Sequence, residues 1–231
     1  MFSKIVFSKI VFKRNKKVGL KENKNVFIKN FEDIIKNGNK FTVKKLIKFM
    51  ANSVQGELIS KCYYNDRNYK DYISNIKHSF LIDLPFEYYK ECNKSIDITK
   101  TPIISCVWND IRIKENLRKI NKYVGNSFDG KSHALNVIGI YIKPLDLVII
   151  TNGNHSVNSA IVHNEGSLIV NTEVDISPLF EKYEFNGEDY IDLKTNKKIN
   201  KQFLIKGSKP FTHTIGLLFE MGRVINKLEK V

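Results

Sequence analysis

Cysteine is scarce in this chain: Cys62, Cys92 and Cys106 are the only three in 231 residues, 30 and 14 positions apart. No pair has the close spacing of a zinc knuckle or a thioredoxin-like motif, so the pattern predicts reduced structural thiols in a cytoplasmic protein. Long apolar runs are lacking too. The longest candidate, VIGIYIKPLDLVII, is broken by Lys143, Pro144 and Asp146, short of the roughly 20 residues a spanning helix needs. No transmembrane segment is therefore expected. The opening MFSKIVFSKIVFKRNKK repeats FSKIV, but Lys4, Lys9 and Lys13 interrupt it and no small-residue cleavage site follows. It reads as an ordered or interfacial basic segment, not an export signal.

Acidic residues are also few, 24 Asp and Glu against 38 Lys and Arg, a net charge of +14. The excess is concentrated: residues 1–48 hold 14 Lys and Arg against Glu22, Glu32 and Asp33, and Lys194 to Lys209 holds six lysines with no acid. Such clusters attract polyanions, of which nucleic acid is the commonest in a cytoplasm. Lys13, Arg14, Lys16 and Lys17 are the expected contacts. The competing explanation is a solvated face on a chain whose wealth of Lys, Asn and Ile suits an AT-rich genome. With 42% hydrophobic and 11% aromatic residues, the chain has the material for a real core, as one large or two small domains.

The spacing of apolar residues predicts an α+β protein in three regions. Residues 1–78 read as a basic, mostly helical N-terminal region. Phe27, Phe31, Ile34 and Ile35 follow helical spacing with Gly38 as a left-handed closing residue, and Val43, Leu46, Ile47, Met50, Val54 and Leu58 form one stripe after a Thr42 cap. Residues 79–183 read as a mixed sheet with short helices. TPIISCVWNDIRI is β-branched and roughly alternating, IKENLRKINKYVG is a helix closed by Gly125, and NVIGIYIK and DLVIIT are adjacent strands. Residues 184–231 read as a hairpin turning at Asn186-Gly187 and a final helix, packed on the core.

The stretch DLVIITNGNHSVNSAIVHNEGSLIV, residues 146–170, poses a choice. Asn152-Gly153 is a strong hairpin signal, which would make SVNSAIV the next strand. Val157, Ala160 and Ile161 stand instead at i, i+3 and i+4, so the spacing predicts a helix over 154–164 packed on Leu147 to Ile150, closed by Gly166. SLIVNTEV is then a strand, and DISPLFEKY starts a short capped helix at Asp175 or Ser177.

Strand, strand, Gly153-Asn154-His155-Ser156, a helix with Ala160, then Gly166 and a strand: this order resembles the ParB/sulfiredoxin superfamily over about 50 residues. The GNHS signature is also similar to that of an uncharacterised bacterial family, which implies no function. The superfamily implies a ParB/sulfiredoxin-like fold and a turn that contacts nucleotide phosphates, in a group that includes nucleotide hydrolases and a kinase of free serine. Two positions depart from it. Ser156 stands where an arginine is usual, and serine cannot replace a bidentate guanidinium contact. Asn154 replaces the cysteine of sulfiredoxins, which excludes their chemistry because no thiolate is available.

A glycine before a helix lets the chain turn sharply and points the first free N–H groups outward with the positive end of the dipole behind them. Gly153, Asn154, His155 and Ser156 are therefore the candidate phosphate site, with Asn154 and Ser156 as neutral donors and His155 as a donor able to carry charge near neutral pH. The alternative is structural: Asn154 or Ser156 caps the helix and His155 bonds a neighbouring loop. No metal site is expected, since among His133, His155, His163 and His213 the 155 and 163 positions lie two helical turns apart and no carboxylate pairs with any at ligand spacing. Asp83, Glu87, Asp110, Asp129, Asp146 and Glu165 are all available as a base, and none is singled out. The expectation is a nucleotide- or nucleic-acid-binding protein, with hydrolysis or phosphoryl transfer open and no cofactor specified beyond a nucleotide. The alternative is a non-catalytic polyanion- or partner-binding module.

Overall fold

The computed structural model describes residues 20–64, 84–199 and 209–229. Lys13, Arg14, Lys16 and Lys17 lie outside the described residues, as do Asp83 and the FSKIV repeat. Five helices are described: α1 (Leu20–Asn37), α2 (Lys40–Tyr64), α3 (Asp110–Lys119), α4 (Asn154–His163) and α5 (Lys209–Glu229). A five-stranded mixed sheet is built from β1 (Tyr89–Asp97), β2 (Ile103–Ser105), β3 (Ile138–Lys143), β4 (Leu147–Asn152) and β5 (Ser167–Asp175). A smaller antiparallel sheet holds β6 (Tyr183–Phe185), β7 (Tyr190–Asp192) and β8 (Lys197–Lys198). The chain is thus α+β, with helices at both ends of the described region. No helix among the described residues is long and apolar enough to cross a membrane.

The large sheet runs β1-β5-β3-β4-β2. β3 and β4 are an antiparallel pair, β1 runs antiparallel to β5, and the β3–β5 and β2–β4 pairs are parallel. β4 explains why the sheet needs cover on both faces. Its residues Leu147, Val148, Ile149 and Ile150 are all buried, the pattern of a strand packed on two sides. Alternation sends Leu147 and Ile149 into a core shared with α1, α2 and α5, and Val148 and Ile150 into a second core with Val157 and Ala160 of α4. All three regions read from the sequence contribute to the first core. The hairpin docks through Glu220 of α5, which accepts the Phe185 N–H at 2.8 Å and pairs with Arg223 at 2.9 Å. Lys24 of α1 reaches Glu184 of β6 at 2.7 Å.

Several boundaries differ from those the sequence predicts, each for a local reason. The run after β2 is not a long strand. Asn109 accepts the Arg112 N–H at 2.9 Å and starts α3 at once, so Asp110 and Arg112 lie on a helix. Asn39, not Thr42, caps α2 by accepting the Thr42 N–H at 2.9 Å. Gly38 is not among the left-handed residues. The helix after β4 closes on Asn164, whose φ is 51°, leaving Gly166 at φ 88° to lead into β5. Ser177–Glu181 is a 3-10 turn, with Asp175 accepting the Ser177 N–H at 2.8 Å. The hairpin turns at Asn186-Gly187, where the Asn186 carbonyl oxygen of the side chain accepts the N–H groups of Glu188 and Asp189, each at 2.9 Å.

Candidate functional site

β2 and β4 lie side by side and parallel, and each leads into a helix at its C-terminal end: β2 through residues 106–109 into α3, and β4 through Gly153 into α4. The two helices then run together. Near their far ends, the Ser159 hydroxyl donates to the carbonyls of Asn116 and Ile120 at 3.0 and 2.8 Å. Their N-termini, with the positive ends of both dipoles, meet at one edge of the sheet. In open α/β sheets this position, outside the carboxyl ends of the strands, is where ligands bind.

Gly153 makes the turn into α4 with φ 77°. A β-carbon there would sit 2.8 Å from the Asn136 carbonyl oxygen, so the position requires glycine both for its left-handed backbone and for close approach to the 133–137 loop. No side chain among the described residues caps α4. The N–H groups of Asn154, His155 and Ser156 have no acceptor among the described residues. Gly153 and Ser156 are partly exposed, while Asn154 and His155 are buried.

The GNHS side chains face inward. Asn154 accepts the Cys106 N–H through its side-chain oxygen at 2.8 Å, and its backbone carbonyl accepts the Ser105 hydroxyl at 2.5 Å. His155 accepts the N–H groups of Asn109 and Trp108 at 3.2 and 3.4 Å through one nitrogen, Nε2. Ser156 accepts from the Asn116 amide at 3.3 Å. Behind them, Gln55 of α2 donates to Asn158 at 2.8 Å and accepts the Ser105 N–H at 2.7 Å, giving the β2 edge a partner. This buried polar network joins α2, β2 and α4, and leaves the Asn158 Nδ2 without a hydrogen-bond partner among the described residues.

Nε2 of His155 is an acceptor, so the neutral ring carries its proton on Nδ1. Burial, with the Arg112 charge as a second cause, pushes the His155 pKa down to about 4. The ring is neutral at pH 7, against the expectation of a donor that charges there. Its bonds to residues 108 and 109 match the loop-bonding alternative raised by the sequence.

Sequence reasoning did not assign Arg112 to the site. It is exposed on the first turn of α3, its guanidinium lies 5.3 Å from the Trp108 ring, and that ring stands edge-on to His155 at 5.1 Å. Spacing gave no signal, because Arg112 and His155 are 43 positions apart and meet only through the β2–β4 pairing.

Four of the candidate carboxylates have other partners. Asp110 pairs with Lys114 at 2.9 Å. Asp129 accepts the Ser132 hydroxyl, Asp146 accepts the Tyr141 hydroxyl, and Glu165 accepts the N–H groups of Lys122 and Phe128. No group of three His, Cys, Asp or Glu able to hold a metal ion occurs among the described residues.

A family model described as a family of unknown function (DUF6710) matches residues 9–231. No curated protein and no solved structure gives a match.

Proposed function

The chain belongs to the DUF6710 family, whose function is unknown, and we propose that it binds a phosphate-bearing ligand, a nucleotide or a nucleic-acid segment, at the N-terminus of α4. The uncapped first turn carries this reading. Three backbone N–H groups with no acceptor among the described residues, at a turn only glycine can make, suit a phosphate better than any neutral group. The adjoining start of α3 adds a second helix dipole of the same sign. The resemblance to the ParB/sulfiredoxin superfamily, whose members contact phosphate at this turn, points the same way.

Two details are refined. The Asn154, His155 and Ser156 side chains hold the 105–109 loop and α3 in place, while their backbone N–H groups meet the phosphate. Arg112 takes the role of the arginine missing at position 156, entering from the neighbouring helix with a guanidinium fit for phosphate oxygens. Asp110, beside it, has its charge offset by Lys114. The reading is one of binding, without a reaction.

Thermal melts with ATP, ADP or inorganic phosphate test it. A ligand at 100 times its dissociation constant should stabilise the chain by about 2.7 kcal/mol. Arg112→Ala should weaken binding by about 2 kcal/mol, the scale of a hydrogen bond to a charged group, with little change in the melting temperature of the free protein. A second reading rests on the basic excess of residues 1–48: a non-catalytic module that binds polyanions or partners through its lysines. Salt-sensitive DNA or RNA binding that ignores Arg112→Ala, with no stabilisation by nucleotide, would favour it.

A further inference from the structure

A cavity of about 520 Å³ opens at the opposite end of the sheet, beside the β3–β4 turn. β4 alone, six residues long, separates the two ends by about 20 Å. The volume falls within the roughly 300–1,000 Å³ typical of small-molecule sites. Ile35 of α1, Val43 and Ile47 of α2, Leu145, and Ile225 and Leu228 of α5 form its apolar floor. All six belong to or pack against the first core, so an apolar body entering there would extend that core.

The mouth has the opposite sign to the chain. Lys143 lines it but is held at 2.7 Å by Glu173, which is not part of the lining and is shared with Lys94 at 3.3 Å, and Lys44 lies 3.8 Å from Asp146. The Asp175 carboxylate accepts the Ser177 N–H and its charge acts on Lys143, its neighbour across β3–β5, but neither it nor Glu229 has an ion pair within 4 Å among the described residues. The Asn226 amide also lines the cavity without a partner among them. The C-terminal end of α5, at Glu229, adds the negative pole of a helix dipole. On a chain of net charge +14, this apolar cavity has a mouth lined by three carboxylates, Asp146, Asp175 and Glu229, against two lysines, Lys44 and Lys143.

We propose that the cavity binds an organic cation of small-molecule size, its apolar body on Ile47, Leu145 and Leu228 and its ammonium group against Asp175 and Glu229. The charge of the mouth selects the cation over a neutral or anionic molecule of the same shape. The site is separate from the α4 turn and stands whether or not phosphate binds there.

Calorimetry of the full chain with n-octylammonium, octanol and octanoate, each below its micelle concentration, tests this directly. Octylammonium should bind at least tenfold more tightly than octanol, and octanoate should give no binding. Asp175→Asn combined with Glu229→Gln should bring octylammonium down to the octanol level and leave octanol unchanged. The asparagine keeps an oxygen for the Ser177 N–H, and a thermal melt checks that the variant folds. As a second variant, Val43→Trp should fill the cavity and abolish binding of both compounds. Octanoate binding as tightly as octylammonium, indifference of octylammonium to the double variant, or no binding by any of the three would overturn the proposal.

Discussion

At the scale of single residues, His155 separates a structural task from a binding one. Its ring nitrogen serves two backbone N–H groups of the 108–109 segment. His155→Ala should therefore lower stability by about 1–3 kcal/mol, the cost of removing the acceptor of two part-buried donors, as read by urea unfolding. The histidine also sets a pH dependence. Its pKa is about 4 in the folded chain, below its ordinary value of 6.5, so between these two values the unfolded chain binds more protons. Its contribution to stability is complete above about pH 6.5, is lost as pH falls toward 4, and changes no further once both forms are protonated. His155→Gln, whose amide oxygen can still accept, should flatten the stability profile in that window. An unchanged profile would mean that the ring is not buried as a neutral acceptor.

At the scale of elements, the sequence was most legible where periodicity or turn chemistry acts locally. Val157 and Ala160, both fully buried, each place a side chain on the sheet one helical turn apart, and the α4 spacing alone favoured helix over hairpin. The Asn186-Gly187 turn and the final helix were equally plain. What failed was the start of α3. The β-branched run Ile103 to Val107 merges into Ile111 and Ile113, and only the Asn109 cap marks the change. The convergence of α3 and α4 was illegible for another reason: it depends on β2 pairing with β4, which are more than 40 positions apart. Arg112 reaches the site only through that pairing. The contact between α5 and the hairpin gives a test at this scale. A β-carbon on Gly216 would lie 2.4 Å from the Phe185 ring, so Gly216→Ala should cost about 1–3 kcal/mol by overpacking and speed hydrogen exchange at the Phe185 N–H. A variant as stable as the parent would show that α5 does not lie this close to β6.

At the scale of the whole molecule, the two proposed sites occupy opposite ends of one sheet and take opposite charges, while most of the positive excess lies in residues 1–48. If those lysines meet duplex DNA through about 3 to 6 phosphates, the logarithm of affinity should fall against the logarithm of salt with a slope of roughly −3 to −5. Replacing Lys13, Arg14, Lys16 and Lys17 by Gln should flatten that slope without changing sequence preference, because phosphate contacts position the protein without specifying a sequence. Absence of binding at micromolar protein would reduce the basic run to a solvated face. The central claim, phosphate at the first turn of α4, is tested most directly by a nuclear magnetic resonance titration of the full chain with inorganic phosphate and then ATP, following backbone amides. The account predicts that the Asn154, His155 and Ser156 amides shift together along one saturable curve, with the Arg112 guanidinium signal following them. Shifts confined to other parts of the chain, with those three amides unmoved at saturation, would contradict it.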